Sequence, residues 1–194
     1  MVTKEVLRQQ LRNSRFALGP EEREAYSRKI TTNCLRFLKE FPEIKHIHLF
    51  LPIKKLLEVN TVPLLQSLFH LNYQVYSSIT VHTTGKMATV KLTPETVFEN
   101  DKLGIPVPKD PILSVAPKVI ELVFVPLLGI DSRGNRIGYG LGFYDKFFGE
   151  LSDGVMKIGL SFNAPLSEEI PYEPHDVPLD GCIHPEGITL FDNY

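Results

Sequence analysis

Hydrophobic residues in the first part of the chain recur at helical spacing, and further on they gather into short continuous runs. Leu7, Leu11 and Leu18 mark an apolar face in the opening stretch. Lys4, Arg8, Arg12 and Arg15 follow one another at intervals of four, four and three, which gathers them into a cationic stripe. Thr3 stands where a helix N-cap is expected. The segment "GPEER" breaks and restarts the chain. Tyr26, Ile30, Cys34, Phe37, Leu38 and Phe41 then repeat with a helical period until Pro42 stops the pattern. The spacing predicts two amphipathic helices.

Beyond Pro42, "HIHLFLP" reads as a strand, "NTVPLLQSLFHL" as a helix opened by a cap and an early proline, and "YQVYSSI" as another strand. That order is a βαβ unit. "VIELVFVP" and "MKIGLSF" are apolar enough for buried parallel strands, and the helix "FYDKFFGEL" between them completes a second unit. The elements predict one α/β layered domain over residues 1–194, without internal repeats. The Pro-rich stretch "LGIPVPKDPILSVAP" reads as an extended surface connection. Ligands of open α/β sheets collect at the carboxyl ends of strands. Three segments fall there: "LPIKKLLEVN", "PLLGIDSRGNRIGYGLG" and "NAPLSEEIPYEPHDVPLD".

Composition narrows the function classes. With 194 residues, 43% of them hydrophobic, the chain can bury a sizeable core, and its net charge of -2 provides no global cationic field for nucleic acid or anionic lipid. Any anion site is local. Cys34 and Cys182 lack metal or redox spacing and read as ordinary thiols. No apolar run approaches the roughly 20 residues of a membrane span, and the opening residues lack a secretory signal, so a cytoplasmic protein is expected.

The densest chemistry lies in "RIGYGLGFYDKFF", residues 136–148, where Gly138, Gly140 and Gly142 alternate ahead of Phe143, Tyr144 and Asp145. It matches neither G-x-G-x-x-G nor the P-loop. A strand, a loop of exposed amides and a helix starting near Phe143 form a general anion-binding geometry, to which Arg136 adds charge; a plain glycine-rich turn satisfies the same spacing. Asp145 and Asp180 are placed to hold magnesium, or to complement a helix dipole and shape a turn. Lys4 and Arg8, one turn apart, reach polyphosphate oxygens or form a solvated face. Glu58 precedes a helix cap, where it either belongs to the cap or orients the polar edge of a heterocycle. His46 and His48 share one side of a strand but lack a third ligand, and they read as structural, as do His175 and His184. No protein nucleophile stands out.

Taken together, "KEVLR" with Arg12 and Arg15, "SRKI", "FLPIKKLLEVNT", "GIPVP", "ELVFVPLLGIDSRGNRIGYGLGFYDKFF" and "KIGLSFNAPLSEEIPYEPHDVPLDGCI" resemble the 5-formyltetrahydrofolate cyclo-ligase family over nearly the whole chain. The resemblance implies a single three-layer domain with a mostly parallel sheet flanked by helices. It implies ATP-dependent conversion of 5-formyltetrahydrofolate to 5,10-methenyltetrahydrofolate, with release of ADP and phosphate. In that chemistry the formyl oxygen attacks the γ-phosphate, and N10 then closes the ring. Position by position, it assigns Lys4, Arg8 and the run Arg136, Ile137, Gly138, Tyr139, Gly140, Leu141, Gly142, Phe143 and Tyr144 to ATP. Leu51 and Glu58 fall to the folate, Asp145 and Asp180 to Mg2+, and Arg136 and Tyr144 to catalysis. The implied partners are reduced folate and ATP, with no nucleic acid and no membrane, and the protein is expected to be a monomer. Leu141 and Phe143 depart from the family's common "GYGGGYYD", and the stretch from Pro52 to Glu58 is longer than its usual pattern. A binding module without turnover, or an α/β enzyme for another small anionic substrate, are the competing readings.

Overall fold

A computed structural model describes residues 3–81, 86–101, 104–113 and 116–191. Helix α1 (Lys4–Ala17) begins at Thr3, whose Oγ1 accepts the Val6 N–H at 3.4 Å, and α2 (Pro20–Glu40) begins after Gly19 with proline in its first turn. Next come β1 (His46–Leu49), α3 (Val62–His70), β2 (Gln74–Val81) and β3 (Lys86–Leu92). A small hairpin of β4 (Phe98–Asn100) and β5 (Pro106–Pro108) precedes β6 (Leu122–Pro126). The hairpin of β7 (Gly129–Ile130) and β8 (Arg136–Ile137) leads into α4 (Phe143–Phe148), and β9 (Met156–Leu160), β10 (Gly181–His184) and β11 (Gly187–Leu190) close the chain.

The main sheet has seven strands in the order β11-β10-β9-β6-β1-β2-β3. From β10 to β2 neighbours run parallel, and antiparallel β3 and β11 form its edges. Alternation along each strand sorts the layers. Ile47, Leu49, Leu122, Phe124, Ile158 and Leu160 bury with Ile30, Cys34, Phe37 and Leu38 of α2 and Leu64, Leu65 and Leu68 of α3. Val123, Val125 and Cys182 bury on the opposite side with Phe147 and Phe148 of α4. Each large core side chain contributes about 1.5–3 kcal/mol by leaving water. This is the mostly parallel three-layer α/β domain expected. Cys34 and Cys182 are free, buried thiols. Among the described residues, no helix is long and apolar enough to cross a membrane.

Three local expectations change. Helix α1 packs on the β7–β8 hairpin, with Leu7 and Leu11 against Leu128, Ile137 and Ile170. At Gly129 a Cβ would come within 2.7 Å of a Leu11 Cδ, so a larger residue there would make the leucine shift. Lys4, Arg8 and Arg15 turn inward with those leucines, because at about 100° per residue they share one face; Arg12 instead lies over Phe16. Helix α4 ends at Phe148 before Gly149, short of the predicted Leu151. The Pro-rich stretch is more than a connection: it supplies β5, and Ile105 and Pro106 line the cavity described next.

Candidate active site

Beyond the carboxyl ends of β1 and β6 lies a cavity of about 520 Å³, walled by the first turns of α1, the loop from Arg136 to Asp145 and the segment 171–178. The size suits a small-molecule site. Lys4 and Arg8 reach it from α1, Leu51 and Glu58 from the loop after β1, and Met87 from β3.

The loop is shaped by two glycines in the left-handed region, Gly140 at φ +89° and Gly142 at φ +65°. Arg8 fixes it: its Nε donates to the Gly138 carbonyl at 3.0 Å, and a Cβ on Gly140 would stand 3.2 Å from the Arg8 guanidinium carbon. Leu141 occupies ordinary backbone space and is 68% exposed, so its departure from glycine costs the loop nothing. Ile137 buries its side chain against Leu128 and Ile170. Phe143 opens a helix of only six residues, so the fixed positive charge here belongs chiefly to Lys4 and Arg8. Buried Asp131 accepts hydrogen bonds from the Arg133, Asn135 and Ile170 backbone N–H groups and the Asn135 amide, tying hairpin and 163–180 segment together.

Two of the sequence-assigned acids part company. Asp145 lines the cavity; it accepts from Arg136 at 2.7 Å and from the Val177 N–H at 3.2 Å. Arg136 also donates to the Val177 carbonyl and lies over the Phe148 ring, so it braces α4 against the 171–178 segment. Asp180 is absent from the cavity wall. It stands just before β10, at the amino end of the parallel strands, where its carboxylate accepts the Lys157 N–H at 2.7 Å and pairs with the Lys157 ammonium at 3.0 Å. A second aspartate that reaches the cavity is Asp176, next to Val177, hydrogen-bonded to Lys4; Glu173 is 3.6 Å from the same ammonium. Burial works against its ionisation, yet the Lys4 ammonium and the Glu173 N–H hold Asp176 below the usual carboxylate range. Sequence reasoning missed it although "PHDVPLD" offers both acids. Among the described residues no three His, Cys, Asp or Glu side chains cluster to hold a metal by themselves.

Glu58 is seated by the Ile53 N–H at 2.7 Å, after a 3₁₀ turn and Leu57 at φ +50°. That strained residue sets the direction in which the longer loop presents the acid. Burial raises the Glu58 carboxyl above its ordinary range. Burial likewise raises Tyr144, which therefore stays a neutral phenol and can donate but not act as a base. Its ring meets His48 edge-on at 6.3 Å. His48 is fully buried, shares a 2.7 Å hydrogen bond with Ser78 and is pushed down to about 3 by loss of solvent, so it is a neutral imidazole on the cavity wall. His46 bonds the Tyr76 hydroxyl at 2.9 Å.

Known proteins resemble this chain in sequence and in fold. The Haemophilus influenzae protein named 5-formyltetrahydrofolate cyclo-ligase is 28% identical over 177 residues, covering 89% of this chain and 92% of the relative. The Mycoplasma pneumoniae protein of that name is 28% identical over 185 residues, covering 94% and 99%. The solved Aquifex aeolicus 5,10-methenyltetrahydrofolate synthetase superposes with a TM-score of 0.79 at 24% identity, over 98% of this chain and 94% of that one, a likeness of fold. The sequence pattern of the 5-formyltetrahydrofolate cyclo-ligase family matches residues 1–185, and the chain belongs to that family.

Proposed function

We propose that the protein converts 5-formyltetrahydrofolate to 5,10-methenyltetrahydrofolate at the expense of ATP, releasing ADP and phosphate. The observation that supports this reading is one cavity that brings a cationic surface and a buried acid together: Lys4, Arg8 and the glycine loop stand on the same wall system as Glu58 and Leu51. Lys4 and Arg8 meet the polyphosphate, exchanging their present carboxylate partners for phosphate oxygens. Glu58 orients the pterin edge of the folate, with Leu51 as apolar wall. The formyl oxygen attacks the γ-phosphate, and N10 attacks the activated carbon and expels phosphate; the protein's task is placement and charge neutralisation.

The residues present fit magnesium, which takes one or two carboxylates together with phosphate and water oxygens. Asp145 and Asp176 would hold it, since both line the cavity and the N–H of Val177, the residue after Asp176, donates to the Asp145 carboxylate. When bound, the ion would offset negative charge on the polyphosphate. Arg136 keeps the Asp145 carboxylate aimed. Tyr144 donates from a neutral phenol. Incubation with 5-formyltetrahydrofolate and MgATP, followed by the ultraviolet absorbance of the methenyl product, tests the reading. Binding of both ligands without product would overturn it in favour of a non-catalytic module.

A further inference from the structure

Arg15, Tyr139 and Glu58 come from distant parts of the sequence and meet beside the cavity. The Arg15 guanidinium, 4% exposed, donates to the Tyr139 hydroxyl at 2.7 Å and also to the Leu127 carbonyl. The Tyr139 hydroxyl also faces Glu58 closely enough that each group shifts the other's ionisation. A guanidinium can only donate. The phenol is therefore oriented, its lone pair toward Arg15, which leaves its proton for Glu58.

Both peptide units flanking Tyr139 rest on Arg8. The Gly138 carbonyl accepts from Arg8 Nε at 3.0 Å, and the guanidinium lies against Gly140, too close for a side chain there to be accommodated freely. Arg8 meets the nucleotide's phosphates in the function proposed above, and Glu58 meets the folate. Phosphate, Arg8, the Gly138–Gly140 backbone, Tyr139, Glu58 and folate thus form one contiguous series of contacts.

We infer that Tyr139 is a positioning residue that couples the two substrates: a nucleotide seated on Arg8 orders the loop and sets the phenol that aims Glu58, so each substrate tightens the other. The coupling rests on the ATP and folate reading of the cavity. By linkage the factor is the same in both directions. A contiguous path is no proof of coupling, so the coupling itself must be measured.

The test titrates 5-formyltetrahydrofolate into the protein with and without a saturating, non-hydrolysable ATP analogue and magnesium. The wild-type protein should bind folate at least about fivefold more tightly with the analogue present, within the usual range for coupled sites. Tyr139→Phe keeps the ring but loses the hydroxyl that Arg15 holds, and its ratio should fall to within about twofold of one, beyond any change in its affinity for either ligand alone. Arg15→Lys, which cannot serve Leu127 and Tyr139 together, should reduce the ratio in the same direction. A merely structural role would weaken each ligand separately and leave the ratio intact. A wild-type ratio of one, or a Tyr139→Phe ratio equal to wild type, overturns the coupling. Failure of the wild-type protein to form methenyl product with MgATP overturns the functional reading itself.

Discussion

The Arg136 guanidinium holds the Asp145 carboxylate at 2.7 Å, with the two side chains only 9% and 21% exposed. The pair joins the start of α4 to the 171–178 segment, because Val177 bonds both partners. Asp145 is consequently an oriented acid before any ligand arrives. Asp145→Asn keeps the shape and an acceptor for Arg136 but removes the charge. Its MgATP-dependent turnover should drop by on the order of 10²-fold, the scale for one lost electrostatic contact in an active site. Thermal stability should fall by only about 1–2 kcal/mol, since the pair is not deeply buried. Unchanged turnover would remove Asp145 from the site.

Asp176 and Asp180 separate a site acid from a structural one. Asp176→Asn should weaken MgATP use, measured as a raised magnesium and ATP requirement. Asp180→Asn should leave turnover within about twofold and cost about 1 kcal/mol of stability through its lost bond to the Lys157 N–H. The reverse pattern in a side-by-side assay would return the metal role to Asp180. Asp176 also predicts an acid sensitivity. A carboxyl held below its ordinary range stabilises the fold above that range, and the contribution is lost as pH falls through the depressed value. Urea midpoints of the wild type should therefore decline at acidic pH more steeply than those of Asp176→Asn.

Glu58 runs with the opposite sign. Its carboxyl is raised by burial, so its contribution to stability is fully present at low pH and is lost as pH rises through the raised value. Ionised Glu58 is carried at a cost to the fold, which its proposed folate contact would offset. Glu58→Gln should raise the melting temperature more at pH 8 than at pH 4.5, while folate affinity falls. An equal effect at both pH values would mean that Glu58 does not titrate with burial as its surroundings dictate.

Lys4 and Gly140 test the nucleotide side of the cavity. Lys4→Ala should raise the KM for ATP roughly tenfold, the loss of one charge-assisted contact. An effect confined to folate would contradict its role. Gly140→Ala both strains a φ of +89° and pushes against the Arg8 guanidinium. It should impair ATP use more than Leu141→Gly, which alters an exposed side chain in ordinary backbone.

Much of the fold was legible because burial writes a period into the chain. Ile30, Cys34, Phe37 and Leu38 had to recur at helical spacing to face a sheet, and runs such as "LVFVP" had to be apolar on both sides to lie between two layers. The β7–β8 hairpin escaped because its strands are only two residues long. The residue types for phosphate and folate chemistry, Lys4, Arg8, the alternating glycines, Glu58 and Asp145, were likewise readable as a set, in a local order that resembles a family.

Sequence by itself determined a layered α/β domain and the chemical inventory of its site. Only the tertiary structure decided which acids share the cavity, since Asp176 and Asp180 are four residues apart in one motif yet lie at different ends of the parallel strands. It also decided that the cationic and apolar residues of α1 face the same way, and that Arg15 and Tyr139, 124 positions apart, meet over Glu58. Periodicity reports how one element divides between core and solvent. Hydrogen bonds between elements depend on register and packing across the whole chain, which local pattern does not encode.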